Sequence, residues 1–465
     1  DPDIASGDPA LHDPFDDPDV RRDDVLDPDD DGCATADLVA AIDRATAEGV
    51  DVLNVSVAGS SDLDTVGLAL LGAAESGAVV VGAAGNDAPD TPAAHPGPWV
   101  TTVGAVADVR RSGVVRFGGR TVRGSSTAED KVGPAPLVLA RHAAASGAST
   151  ADARVCAPRS LDPGLVRDAV VVCERGGGVG RVDKSATVAG ADGAGMVLVD
   201  VEEAEDAAGG LPVDRHSVPT VHLDRADGRS LVAWAAANPR GEVSLLPRRA
   251  RSVEPAVPAW SARGEASAAV LKPDVVAPGV GVLGAVPGGS WDFVSGTSVA
   301  AAQVSGLAAR LLASRRWPAT TVRSALSTTA GPVQGAEPAS TGAGRVRASR
   351  LDSPGLVLPV DAGDYRRWLE GDLDTLNTPS VVLRGNASAT RTLVNTARRA
   401  RYFSVRTVGL EGRDVTVTPA ALRLGPGESA EFTVSVGDTG REVQGAVVWR
   451  GATGTTTRIP VLLGR

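Results

Sequence analysis

Residues 31–59 read DGCATADLVAAIDRATAEGVDVLNVSVAG, and AVVVGAA follows at 78–84. Leu38, Ile42 and Ala45 recur at helical spacing, Thr35 stands where a helix cap belongs, and Gly49 lies just past the helix end. DVLNVSV (51–57) then has the length and apolar continuity of a buried strand, and a second helix over about 64–76, stopped by Gly77, feeds AVVVGAA. Helix then strand, twice, predicts an α/β fold whose parallel sheet is covered by helices on both faces.

Outward from this block the texture changes. Between 133 and 247 the short segments APLVLA, DAVVVCERGGG, GAGMVLVD and VPTVHLD, separated by Gly, Pro and Asp, predict an inserted β-rich module. The α/β texture returns with LKPDVVAPGVGVLGAV and an Ala-rich helix over about 298–313. Residues 377–465 alternate apolar and polar in VVLRG, FSVRTV, VTVTPAALRL, EFTVSV and AVVWRG, which predicts a β-sandwich. The expected division is therefore an acidic irregular segment (1–32), a first α/β part (33–132), the module (133–247), a second α/β part (248–350), and a linker with the sandwich (351–465).

At 465 residues the chain exceeds what one core accommodates, so several domains are expected. The net charge of −11 belongs to the first 32 residues, which hold 13 Asp and two Arg; the remaining 433 balance at 44 acidic and 44 basic side chains. A neutral body without a Lys/Arg stripe argues against nucleic acid as a partner. No apolar run approaches the ~18 residues of a membrane-spanning helix. DPDDDG (27–32) opens like a calcium loop, but Leu38 stands where the bidentate Glu belongs, so neither a metal nor another cofactor is expected. No signal peptide is present, the chain begins at Asp1, and its only methionine is Met196; a processed product or a fragment is expected.

SGTSVAAAQVSGLAA (295–309) raises a chemical question. A serine at a helix start has an exposed hydroxyl beside free backbone N–H groups, which suits a nucleophile and equally suits an ordinary N-cap. Asn86, in AAGND, likewise reads as a turn residue or as an amide donor. The stretch resembles the nucleophile motif of the subtilisin-like serine proteases (Gly-Thr-Ser-Met-Ala-x-Pro-His-Val-x-Gly), and LKPDVVAPGV, VVVGAAGND, WVTTVGAVADVRRS and residues 31–59 fall in that family's order. The nearest likeness is the cucumisin-like, plant-type branch, with VCAPRSLDPGLVRDAVVVCERGGGVGRVDKSATVAGADGAGMVLVD resembling its protease-associated insert and the C-terminal part its fibronectin type III-like domain. The resemblance implies a secreted endopeptidase acting on protein or peptide, with Ser298 as nucleophile and Asn86 in the oxyanion hole. Ser56, Val57, Ala58 and Gly59, Ala83, Ala84 and Gly85, and Gly296 and Thr297 would line the cleft, where an extended peptide adds as a strand. It also implies that Asp274 is structural rather than the triad acid.

Departures from the family pattern matter. Val299, Ala302 and Gln303 replace Met, Pro and His of the motif, and Ala58 adds a methyl where relatives carry Gly. Ahead of residue 33, where the family places them, neither the Asp-Ser/Thr-Gly nor the His-Gly-Thr motif of the triad occurs; the one Asp-Thr-Gly of the sequence is 438–440, in the C-terminal part. His12, His95, His142, His216 and His222 lack a helix-start context and read as surface or loop residues. With triad members removed, a relative in this family loses about 10⁶-fold in kcat and keeps ~10³–10⁴ over water. These residues alone are therefore expected to be nearly inactive, with an open sheet edge and an uncovered face at 51–57 and 78–84.

Cys156 and Cys173 enclose 16 residues and are the candidate disulfide, pointing to an extracellular setting; Cys33 is left over, and three free thiols are the alternative. Asn386-Ala-Ser388 fits the glycosylation pattern, whereas Asn54-Val-Ser56 is expected in a buried strand. The module offers no ligand chemistry and reads as an interaction domain that gates the cleft or joins a homodimer. The second functional reading is a catalytically inactive, protein-binding chain.

Overall fold

The computed structural model describes residues 34–200, 211–265, 268–371, 376–384, 387–410, 414–437 and 442–464. The acidic segment, the calcium-loop candidate, His12, Cys33 and Asn386 lie outside the described residues.

Four parallel strands lie side by side: β1 (Val52–Val55), β2 (Val79–Ala83), the first part of β3 (Val100–Phe117) and, further along the chain, residues 275–278. Helices α1 (Thr35–Ala47) and α2 (Thr65–Glu75) cover one face. Ala34 caps α1 with no side-chain bond, so Thr35 is the first helical residue rather than the cap. Asp64 caps α2 by accepting from the Gly67 N–H at 2.7 Å. Val79 to Ala83 are all buried, which corrects the expected uncovered face at 78–84; the open edge is seen at β1, which among the described strands pairs only with β2.

β3 continues past Val106 into the module, pairing there with β4 (Arg120–Gly124) and with residues 242–256. The module holds β5 (Val132–Leu139), α3 (Thr150–Arg154), α4 (Pro163–Val166), β6 (Val170–Glu174), α5 (Arg181–Gly190), β7 (Gly195–Val199), β8 (Thr220–Leu223), α6 (Arg225–Ala237) and β9 (Glu242–Ala256). β5, β6, β7 and β8 are mutually parallel, so the module is itself α/β in texture rather than simply β-rich. The expected boundaries at 132/133 and 247/248 fall inside β5 and β9, because β3 and β9 run unbroken between the two regions. A Cys156–Cys173 disulfide joins the segment after α3 to β6.

The chain returns through β10 (Val275–Pro278), the hairpin β11 (Val282–Val286) and β12 (Ser290–Val294), α7 (Thr297–Arg315) and α8 (Ala319–Thr328). Ala300, Ala301, Val304, Ala308 and Leu311 form one helical stripe of α7, packed on Val79, Val81, Ala83, Val103, Ala105, Val275 and Ala277 of the sheet. The small side chains let helix and sheet approach closely. After α9 (Pro338–Thr341) and β13 (Leu356–Val357), α10 (Ala362–Leu369) returns to α2: the Trp99 indole donates to the Gly67 carbonyl at 2.9 Å and meets Tyr365 and Trp368 edge-on. The linker thus belongs partly to the α/β core.

The remaining strands, β14 (Val381–Arg384), β15 (Ala387–Asn395), β16 (Arg401–Val408), β17 (Val415–Thr418), β18 (Ala421–Leu424), β19 (Ser429–Val436), β20 (Val443–Gly451) and β21 (Thr456–Gly464), make two sheets, β13-β15-β19-β17 and β14-β21-β20-β16-β18. Phe432 and Trp449 meet edge-on between them, as a sandwich core requires.

Candidate active site

Ser56 and Asn86 lie just beyond the carboxyl ends of β1 and β2, where ligands approach open parallel sheets. α7 begins against them. Gly296, with φ 156° and ψ 159°, precedes the helix in a backbone region that only glycine occupies readily, so Ser298 is the second helical residue and not the N-cap. Its hydroxyl, free of capping, donates to the Ser56 carbonyl at 2.6 Å. Ser56 is held in turn: its hydroxyl donates to the Ser298 carbonyl at 3.2 Å and accepts from Asn54 Nδ2 at 2.8 Å, while Asn54 Oδ1 accepts from Ser305. Asn54 is consequently exposed but fixed, on an edge strand rather than in a buried one.

Asn86 is oriented by Thr297. The Thr297 N–H can only donate, and it meets Asn86 Oδ1 at 2.9 Å, with the Thr297 hydroxyl at 3.0 Å from the same oxygen. The carbonyl end of the amide is thereby fixed, and Nδ2 is the outward donor. Thr297 Oγ1 also accepts from the Gly85 N–H, which locks the β2 turn to the helix start. A Cβ placed on Gly296 would lie 3.6 Å from Asn86 Nδ2 and 3.8 Å from the Ser298 nitrogen. The two donors therefore border one small space, which the glycine leaves open.

The proposed cleft residues divide into two groups. Val57, Ala58 and Gly59 are exposed and Ser56 half-buried, whereas Ala83, Ala84, Gly85, Gly296 and Thr297 are buried. The Ala84 N–H and carbonyl and the Gly85 N–H and carbonyl are already bonded, to Val103, Ala94, Thr297 and Ala262. An added peptide strand therefore finds no free N–H at Ala84 or Gly85.

Three histidines are more buried than expected. His95 fills space beneath 57–59, with Nε2 3.0 Å from the Val57 carbonyl, and a Cβ on Gly82 would come within 2.6 Å of its ring. Because a carbonyl only accepts, Nε2 carries the proton; burial pushes the His95 pKa down, against the opposing Val57 bond. His222 Nε2 lies 2.7 Å from Asp200 inside the module, and His216 sits near Asp214. Among the described residues, none of these rings bonds Ser298. Asp274 accepts from the Thr102 N–H at 2.8 Å and from the buried Lys272 at 2.7 Å, tying β10 to β3. Gln303 donates to the Pro278 carbonyl at 2.6 Å, and Val299 and Ala302 lie outside the buried stripe of α7.

Sequence reasoning missed a recess of about 330 Å³ beside Asn86 and Gly296, lined also by Phe293, Trp260 and module residues. Phe293 in WDFVSGTS, one of five Phe in the chain, was the available signal. Among the described residues no cluster of three His, Cys, Asp or Glu could hold a metal, and no described helix is long and apolar enough to cross a membrane.

Residues 24–350 match the model of the subtilase family, and residues 375–463 match a fibronectin type-III domain. The chain is 31% identical over 491 residues to "Subtilisin-like protease SBT5.3" of Arabidopsis thaliana, covering 90% of this chain and 63% of that protein. It is 29% identical over 506 residues to the "CO(2)-response secreted protease" of the same plant, covering 90% and 65%. It thus spans less than two thirds of the length of either relative. With the family match running through both halves of the parallel sheet, Asn86 and Ser298, the chain belongs to the subtilase family.

Proposed function

We propose that these residues carry the nucleophile and oxyanion half of a serine endopeptidase acting on proteins or peptides. Ser298 Oγ attacks the substrate carbonyl carbon, and the Ser298 N–H and Asn86 Nδ2 receive the developing oxyanion. The observation that carries this reading is the Thr297 clamp on Asn86 Oδ1, which commits Nδ2 to donate toward the space above Gly296. A carbonyl such as Ser56 O holds the Ser298 proton but is far too weak a base to take it. Catalysis therefore requires a histidine and an orienting carboxylate; His-Gly-Thr is absent from these 465 residues, and the one Asp-Thr-Gly, 438–440, lies in the C-terminal part rather than ahead of the parallel sheet. We read the module as a protease-associated insert and, with its disulfide, the protein as secreted.

The test begins with the genomic sequence upstream of the Asp1 codon. In-frame Asp-Ser/Thr-Gly and His-Gly-Thr motifs there support the protease; a start codon or signal peptide directly before Asp1 supports instead a protein-binding role. On a chain carrying both motifs, Ser298→Ala abolishes labelling by a fluorophosphonate. Asn86→Leu lowers kcat by ~10²–10³-fold. Unchanged labelling of Ser298→Ala would exclude the assignment.

A further inference from the structure

The chain leaves β1 through Ser56, and Val57, Ala58, Gly59 and Ser60 are all exposed. Apart from the Asp62 N–H on the Ser60 hydroxyl, a bond within the same loop, two hydrogen bonds among the described residues tie 57–60 to the rest of the protein, and both come from His95. Its Nε2–H donates to the Val57 carbonyl at 3.0 Å, and its backbone N–H donates to the Ser60 carbonyl at 3.2 Å. His95 is itself firmly held. It is 5% exposed, its carbonyl accepts from the Thr102 hydroxyl at 3.0 Å, and the Ala94 N–H just before it donates to the Ala84 carbonyl at 2.9 Å. Its φ of 56° lies in the left-handed region, which a residue with a side chain occupies at a cost. The ring fits between two glycines: a Cβ on Gly59 would come within 3.2 Å of it, and one on Gly82 within 2.6 Å.

A buried histidine in a costly backbone conformation, with both of its N–H donors ending on one exposed segment, fixes where that segment lies. The N–H and carbonyl groups of Ala58 and Gly59 bond to nothing among the described residues and are free to pair with an added strand, whereas Ala84 and Gly85 have no free N–H. Ser56, whose carbonyl accepts from the Ser298 hydroxyl, directly precedes the segment, so moving 57–60 moves a paired peptide relative to Ser298. We propose that His95 is a positioning residue for substrate: its ring N–H and backbone N–H hold residues 57–60 in the place where a peptide pairs along Ala58 and Gly59 to reach Ser298. The proposal rests on the protease reading. His95 touches no reacting atom and acts through the segment it holds. A side chain that filled the same space without a donor would leave the Val57 carbonyl untethered.

The test separates the donor from the space that the ring fills. Fluorescein-labelled casein, an unfolded probe with many sequences, is titrated against the full chain by anisotropy. His95→Gln, which keeps a donor, should bind within about twofold of the unaltered chain, and His95→Met, which fills space without one, should bind roughly five- to tenfold more weakly. Packing alone would weaken both variants alike or neither, and either result overturns the proposal. If the Met variant fails to fold by circular dichroism, His95→Gly decides. Glycine takes a φ of 56° freely, so binding by this variant should fall and recover on adding imidazole; full binding without imidazole, or no recovery with it, overturns the tether. Absence of casein binding by the unaltered chain overturns the pairing edge and the proposal with it. On a motif-complete chain, His95→Met should raise KM for casein and leave kcat per labelled site within about twofold. A merely structural loss would instead lower the number of sites labelled by the fluorophosphonate and leave KM alone, which overturns the positioning role. If the unaltered motif-complete chain takes no label, the protease reading falls, while casein binding by the variants still judges His95.

Discussion

From Val100 to Val106, strand β3 is buried on both faces between the parallel neighbours β2 and β10; from Ala107 to Phe117 it runs antiparallel to β4 and β9, with Arg110 and Arg116 exposed. The handover occurs where the register with β9 slips, between Ala107 and Val109 and again between Arg110 and Ser112. Asp108 pairs with Arg345 there, and Arg111 reaches the Gly281 carbonyl, so the corner is fastened back to the core. One strand therefore serves two cores. The parallel half supports Asn86 and Ser298 through helices packed on both faces, and the antiparallel half carries the module, whose residues Leu211, Pro212 and Val213 wall the recess. Damage to one core is expected to spare the other unless it reaches this corner.

The largest break comes from Phe117→Ala. Phe117 is buried in the module core, tilted against Trp234 at 5.3 Å, and its truncation should cost about 3–5 kcal/mol. Hydrogen exchange should show the loss in β4 to β9, with protection of β1, β2 and α7 retained. Equal loss in both regions would mean that the two cores unfold as one. A smaller break comes from replacing Cys156 and Cys173 with Ser. The bridge spans a sequence separation of 17, and removing it should cost about 3 kcal/mol in the chain-entropy account. Melting of the reduced protein checks this, with the C-terminal sandwich transition expected unmoved.

The same division explains what the sequence reveals. Ile42, Val79 to Val81 and the Ala300–Leu311 stripe repeat at strand or helix spacing, so the parallel half is legible from periodicity. Ser298 and Asn86 are legible as chemistry, but Thr297 Oγ1, which fixes both the amide and the Gly85 turn, is 211 residues distant from Asn86 and has no local signature. His95 reads as a loop residue because its burial depends on Gly82 and Gly59, which leave room for the ring. The module boundaries are obscured for a similar reason. β3 keeps a strand pattern through Arg110 and Arg111, and nothing in that local pattern marks a change of partner from β10 to β9.

The smallest effect sharpens the comparison at His216 and Asp214, beside the module's wall of the recess. His216 is pushed down to about 4, chiefly because burial disfavours its charged form; His222 and Arg181 act in the same direction, while Asp214 and Asp292 oppose. Asp214 stays below the ordinary carboxylate value, since the Arg181 bond and charge outweigh the burial that would raise it. In the unfolded chain His216 takes up a proton below its ordinary 6.5, whereas in the folded chain it does so only near 4. The unfolded state thus binds more protons between these values, and stability falls as pH drops through that window, by at most about 1.4 kcal/mol per pH unit. Asp214 titrates lower, beside His216: its contribution is present above the ordinary carboxylate pKa and is lost as pH falls through its depressed value. His216→Asn should flatten the decline between pH 6.5 and 4, read from denaturant melts, and, by removing a positive charge that helps hold Asp214 down, should move the Asp214 limb to higher pH. If the variant keeps the full slope, His216 is not where the module senses acid, and the decline must arise from groups elsewhere in the protein.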